Sequence, residues 1–499
     1  MLLTATLAAL TMLPAQGFQG GRANPPAESQ AGGAFPEYFK IEPSTTKGSV
    51  GSTAYTTHAA QLSLRNDTGD EQCRMFYVAY TKDGESANRR PVTFCFNGGP
   101  GSATIWLHMG GLGPKMAPLK DDGSLPPPPY AAVENPDHWL DFTDLVFVDA
   151  PGTGFSRIAR QELASQYFGV QPDIAAFTSF VRGWLTEQNR WDSPLFIAGE
   201  SYGGIRGSGL CGSLFGAGIA VNGFISISGT SNYMTLDTMR GNDYPYVGFL
   251  PTLAATAWYH KKANPKYKTV ESIVEDATKW VEETYVPALS RGDSLSAVEK
   301  DRIAQKMSEL IGIRKDYILG ANLRVSEFAF FRELLRDQGL MVGRYDARLT
   351  GPVETPSGGG SEPDPSDQAI TSPFTSALHS YLARDLKVKS QMPYLNFGRV
   401  NPWTEPQGSY AETASALRGV IARNPYFRVL YACSYYDMAC PFYATTYTVN
   451  HMGLNEEARS RVSYTYYPSG HMMYIEKGSR RKFTADVAKF VRETLAATK

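Results

Sequence analysis

The chain has 499 residues, 42% of them hydrophobic and 19% charged, with a formal net charge of −1. This composition excludes a disordered chain and supplies ample apolar material for a large core. The balanced charge offers no global field to nucleic acid or an anionic membrane surface, and points instead to a small-molecule or peptide partner.

The N-terminus opens on a short apolar run, residues 1–13, and Ala15-Gln16-Gly17 resembles a small-residue cleavage site. Residues 1–17 therefore read as a signal peptide lacking its usual basic start, and the protein as exported, periplasmic or secreted. Residues 18–51, rich in Gly, Pro and Ala, are expected to form an extended arm. No later stretch is long and apolar enough to span a membrane. Cys73, Cys95, Cys211, Cys433 and Cys440 show no C-x-x-C spacing. Few or no disulfides are expected, with no metal site and no cofactor.

Strand-like runs follow at 73–80 and 91–96. Residues 144–149 (DLVFVD) form a continuous apolar run between acidic ends, the mark of a buried strand. Residues 172–190 have helical spacing, with Ile174, Phe177, Phe180, Val181 and Leu185 on one face. A short apolar strand at 195–198 leads into a Gly-rich turn and a helix-compatible segment, and the next strand is 224–228. From 233 to 390 the chain changes character, becoming mainly helical and rich in aromatics and charges. It contains TPSGGGSEPDPSD at 355–367, which reads as a flexible loop. Strand-like runs resume at 427–433 and 462–467, and residues 480–498 close the chain as an amphipathic helix. Alternating strands and helices at both ends imply an α/β core, 52–232 and 391–499, interrupted by an inserted cap, 233–390.

Gly199-Glu200-Ser201-Tyr202-Gly203 fits G-x-S-x-G and lies between an apolar strand and a helix, the context of a nucleophile elbow. The turn is sharp, so small residues must flank the Ser two positions away. A Ser hydroxyl is weakly nucleophilic unless a base takes its proton. In α/β-hydrolases the partners follow in the order Ser, acid, His. Of the seven His, His471 sits in a turn directly after a late strand, where such a base belongs, whereas His451 sits in a helix-like stretch. Asp437 follows the strand at 427–433 and completes the order. A lone loop Asp is usually a turn residue; its place in this series distinguishes it.

These residues resemble the serine carboxypeptidase family, in a divergent, bacterial-type form. Asn97-Gly98-Gly99-Pro100-Gly101 is similar to that family's first signature. Asp149-Ala150-Pro151-Gly152-Thr153-Gly154-Phe155-Ser156 is similar to its second. The elbow, Asp437 and Gly470-His471 follow in the family's order. The resemblance implies an α/β-hydrolase fold: a central mixed, mostly parallel sheet flanked by helices, with a mainly helical cap inserted. It also implies release of single residues from peptide C-termini. Gly99 and Tyr202 would give backbone N–H groups to an oxyanion. Asn97 and Glu200 would hold the substrate's terminal carboxylate, Glu200 in its protonated form because two carboxylates repel. Cys440 and Met472 match positions on the leaving-group side. The sequence departs from the family at Gly111, where a second Glu is common, at Ser102 in place of a Cys, and at Cys95 in place of a Trp. An esterase or acyltransferase with the same Ser-His-Asp set, or a silent binding protein on the same fold, are the competing expectations.

Overall fold

A computed structural model describes residues 35–86, 89–355, 362–404 and 409–497. The expected signal peptide, 1–17, and the arm as far as 34 lie outside them. The main sheet opens with three antiparallel strands, Ser44–Val50 (β1), Thr53–Arg65 (β2) and Glu71–Lys82 (β3). The end of the expected arm is thus a strand. β1 pairs with β2 from Ser44↔Ala59 to Val50↔Thr53, yet almost all its side chains retain solvent contact. An edge strand held by backbone bonds carries no apolar periodicity to read.

Val92–Phe96 (β4), Asp144–Val148 (β5), Leu195–Glu200 (β6), Gly223–Ile227 (β7), Arg428–Ser434 (β8) and Val462–Tyr467 (β9) follow. Among the described residues the sheet has ten strands in the order β1-β2-β3-β5-β4-β6-β7-β8-β9, with the two-residue strand Arg157–Ile158 paired to β3. β4 pairs in parallel with β5 and β6, and β6 to β9 continue in parallel. Strands covered on both faces are apolar throughout, and β4 to β7 are buried at every position.

Successive residues point to opposite faces. Phe94, Phe96, Ile197 and Phe224 enter one apolar cluster; Cys95, Phe196, Ala198 and Ile225 enter the other. Covering helices are Val170–Glu187 (α1), Gly203–Gly216 (α2), Pro365–Arg384 (α3), Ala414–Arg423 (α4) and Lys477–Ala496 (α5). α1, α2 and α4 pack on the first face, α3 and α5 on the second.

Between β7 and α3 the chain leaves the sheet in a run of helices that includes Tyr244–Tyr259, Val270–Trp280 and Ala297–Ile311. By sequence α3 groups with this insertion. It packs Ile370, Phe374, Ala377 and Leu378 into the same cluster as Cys95 and Phe196, so the sheet-covering layer resumes at 365 and not at 391. The stretch 355–367 also needs correction. Glu362 accepts hydrogen bonds from the N–H groups of Glu354 and Thr355 and pairs with Arg332 at 3.5 Å. Asp364 caps α3 by accepting from Ser366 N at 2.9 Å, and residues 365–367 are that helix's first turn. Residues 356–361 lie outside the described part. All five cysteines are free and buried. Among the described residues no helix is long and apolar enough to cross a membrane.

Candidate active site

β6 ends at Glu200, and α2 begins at Gly203. The two residues between them must reverse the chain, and Ser201 does so with φ +62°, a conformation that side chains other than Gly rarely adopt. The strain is held by bonds at both ends of the residue: Ser201 N donates to Ile227 O at 3.0 Å and Gly204 N to Ser201 O at 2.8 Å. A Cβ at Gly199 would run into Gly203 O and lie 2.7 Å from the Phe96 ring, so the position takes only glycine. Ser201 stays partly exposed while its neighbours Glu200 and Tyr202 are buried.

The loop after β4 folds onto this turn. A Cβ on Gly98 would collide with Tyr202 N and lie 2.6 Å from Glu200 O, and Gly99 has φ +104°. The backbones of the first signature and of the elbow therefore touch, as two converging N–H donors require. Asp149, buried, ties the second signature to the first. Its carboxylate accepts from Thr104 N (2.9 Å), Tyr394 Oη (3.0 Å) and Phe155 N (3.3 Å). Burial raises its pKa to about 6 against these bonds.

Asp437 ends the loop after β8 and is wholly buried. Its Oδ1 accepts from Ala439 N (2.8 Å) and Cys440 N (2.9 Å), and its Oδ2 lies 2.8 Å from His471 Nδ1. Nδ1 must carry the proton to satisfy that contact, which leaves Nε2 as acceptor. Burial pushes the His471 pKa down, but the charge and hydrogen bond of Asp437 outweigh it, and the net shift is upward. The Ser201 hydroxyl lies beside the Cys440 thiol, whose own pKa burial and the Asp437 charge drive up. Asp437 thus joins Cys440 and His471 by hydrogen bonds, with Ser201 beside the Cys440 thiol. Met472 is buried in the sheet-facing cluster beside His471.

Asn97 and Glu200 are also in contact. Asn97 Oδ1 accepts from Leu107 N at 2.9 Å, which turns its Nδ2 toward Glu200 Oε2, to which it donates. Glu200 Oε1 accepts from Tyr474 Oη at 2.7 Å. Burial, opposed by the nearby His471 and by these hydrogen bonds, raises the Glu200 pKa to about 7.

Three contributors escaped the sequence reading. Tyr474 fills the space above Gly110 and Gly111: a Cβ on Gly110 would enter its ring, and one on Gly111 would lie 3.2 Å from its Cβ. The two small residues and the Tyr three positions after His471 are a complementary pair that only the folded chain reveals. Arg206 of α2 is buried, pairs with Asp173 at 2.7 Å and donates to Asn97 O at 2.6 Å. The third is the segment 344–348 of the insertion. Arg344 O accepts from Met438 N (3.1 Å), Tyr345 O from His471 N (2.5 Å), and Ala347 N donates to Tyr436 O (3.1 Å). Among the described residues no group of His, Cys, Asp and Glu could hold a metal ion.

Residues 57–214 match the family model described as serine carboxypeptidase. The pheromone-processing carboxypeptidase KEX1 of Arthroderma otae is 30% identical over 149 residues, 30% of this chain and 21% of that protein. Serine-type carboxypeptidase F of Aspergillus niger is 27% identical over 146 residues, 28% of this chain and 23% of that protein. The chain thus spans less than a quarter of the length of these relatives. The crystal structure of a prohormone-processing carboxypeptidase from Saccharomyces cerevisiae superposes with a TM-score of 0.53 at 15% identity, covering 88% of this chain and 91% of that one. That likeness is one of fold, and the fold is that of an α/β-hydrolase.

Proposed function

We propose that this chain, which belongs to the serine carboxypeptidase family, releases single residues from the C-termini of peptides through an acyl-enzyme on Ser201. The observation that carries the reading is the buried Glu200 carboxyl beside the nucleophile, held by Asn97 and Tyr474 and titrating at about 7. Asn97 already donates to Oε2, so the acid proton belongs on Oε1, and Tyr474 Oη then accepts it. This frees the phenol O–H to point elsewhere. With the acid's one proton given to the phenol oxygen, the phenol O–H and the second Asn97 N–H are the donors of a neutral cradle for a terminal carboxylate. Simple ester hydrolysis has no use for such a group.

The chemistry follows from the connected residues. Ser201 Oγ attacks the last peptide carbonyl as His471 Nε2 takes its proton. Asp437 keeps the proton on Nδ1 and stabilises the imidazolium that forms. The N–H groups of Gly99 and Tyr202 receive the oxyanion. His471 returns the proton to the departing amine, a free amino acid leaves past Cys440 and Met472, and water repeats the sequence on the acyl-enzyme. The insertion from 233 acts as the cap that shapes the pocket, and residues 1–17 as the leader that exports the chain. Incubation with a mixed peptide pool followed by mass spectrometry tests the reading. C-terminal ladders that lose one residue at a time are expected. Hydrolysis of simple esters with no ladder from any peptide would move the function to an esterase or acyltransferase.

A further inference from the structure

Arg344 lies where the insertion meets both loops of the candidate site. Its carbonyl is bonded to Met438, next to Asp437, and the carbonyl after it is bonded to His471. The Tyr345 ring stands 5.6 Å from the His471 ring, and the Arg344 guanidinium lies 5.4 Å over that Tyr345 ring. The side chain is exposed. Its positive charge acts on Asp437, Cys440 and His471, so it faces the leaving-group side of Ser201.

This guanidinium has no counter-ion among the described residues. Asp364 and Glu327 of the insertion act on its charge, but neither forms an ion pair with it. Asp364 accepts through Oδ1 from the backbone N–H groups of Arg344 (3.1 Å) and Ser366 (2.9 Å) and from the Ser366 hydroxyl (2.7 Å), and its charge favours that of Arg344 without a direct contact to the guanidinium. Glu327 is buried, and its pKa is pushed up to about 7 by that burial. A planar, permanently charged donor fork matches a carboxylate better than any other common ligand.

On the carboxypeptidase reading, on which this inference rests, Asn97 and Glu200 take the terminal carboxylate. We propose that Arg344 receives the second carboxylate of the departing residue, the side chain of a C-terminal Asp or Glu, and so makes acid-ended peptides the preferred substrates.

The test uses N-blocked dipeptides with one acyl residue and a C-terminal Glu, Gln or Lys, together with the C-terminal amide of the Glu peptide. In the wild type, kcat/KM for Glu over Gln should be roughly tenfold or more, carried by KM, as expected for a charge-assisted hydrogen bond. Arg344→Ala should bring that ratio close to one, Arg344→Lys should keep part of it, and Arg344→Glu should turn the preference to Lys. Each ratio is internal to one variant, so a general loss of activity divides out. Equal handling of Glu and Gln by the wild type, or a preference that survives Arg344→Ala, overturns the inference while leaving the peptidase reading intact. It also falls if Arg344→Ala weakens the Glu and Gln acids alike and spares the amide, because Arg344 then reads the main-chain carboxylate. If no free-acid peptide is cleaved while a fluorophosphonate still labels Ser201, the peptidase reading fails and takes this inference with it.

Discussion

The Tyr474 phenol bonds Glu200 at 2.7 Å, and its ring lies over Gly110, next to Gly111, the residue at which the family commonly carries a second Glu. A donor that titrates at low pH has been exchanged for one whose pKa burial holds well above the usual tyrosine range.

Tyr474→Phe should therefore act on substrate binding more than on turnover. The ring still fills the space over Gly110 and Gly111, and only the hydroxyl is lost. KM for a free-acid dipeptide should rise about tenfold, the scale of one hydrogen bond to a charged group, with little change for the C-terminal amide. The Tyr474 bond lowers the Glu200 pKa, so the inflection in KM against pH should move upward in the variant. Steady-state kinetics from pH 5 to pH 9 would show both effects, and parallel changes for acid and amide would remove Tyr474 from carboxylate binding.

Glu200 sets the pH dependence of the wild type. Below about 7 the buried acid is neutral and donates to Tyr474, whose own O–H is then free; above it a carboxylate would take that O–H and face the substrate's carboxylate. KM for free acids should climb as pH rises through that value, and Glu200→Gln should flatten the climb. Stability follows with a definite sign. The folded-state pKa is raised above the unfolded one, so the folded chain binds the extra proton and loses stability as pH rises from 4.5 through about 7. Glu200→Gln should match the wild type near pH 4 and exceed it by about 3 kcal/mol at pH 8. Urea unfolding at the two pH values measures this, and equal midpoints at pH 8 would contradict it.

Ser201, His471 and Asp437 should behave as one unit. Ser201→Ala and His471→Ala should each abolish most turnover, and the double variant should be hardly worse than either. Asp437→Asn should cost about four orders of magnitude in kcat, because the imidazole would then hold the wrong tautomer. Single-turnover assays on a chromogenic substrate check all four proteins. Near-normal rates in Ser201→Ala would displace the nucleophile.

Arg206 supports the site from below. Arg206→Met removes the partner of Asp173, which is itself 1% exposed, and leaves a buried charge uncompensated. The expected loss is about 3–5 kcal/mol of folding stability, and the double variant Arg206→Met, Asp173→Leu should regain much of it. A denaturant series on the single and double variants decides the point.

The grouping of Ser201, Asp437 and His471 was legible because the first two follow apolar runs that a buried strand explains, His471 follows a strand-like run of Tyr and Thr that stays partly exposed, and their order along the chain is restrictive. β4 to β7 read easily for the same reason. β1 and β2 did not, since Thr53–Arg65 alternates Ala, Thr, Tyr and Leu with His58 and Gln61 and so offers little hydrophobic contrast. Tyr474, Arg206 and the segment 344–348 were illegible for a different reason. Their partners are tens to hundreds of residues away, and nothing local in an Arg within a Gly-rich helix, or in an Arg-Tyr-Asp-Ala-Arg run, announces them. The reach of α3 into the sheet's cluster was missed because its apolar residues were read together with the helices before it.

The bonds from 344–348 to the loops of Asp437 and His471 also bear on how such proteins could be rebuilt. Arg348 extends them, donating to Pro468 O at 3.1 Å and to Ser469 Oγ at 3.2 Å, and a Cβ on Gly470 would strike Tyr345 O. The insertion is therefore not a detachable cover. Its segment 344–348 is part of the mould in which the imidazole is cast. A chimera that imports a foreign selectivity region should place its downstream seam before Gly343 and keep the native chain from there on. A graft that runs past that seam brings in a new pocket and an ill-fitting base together, and the two faults would be mistaken for a single loss of activity.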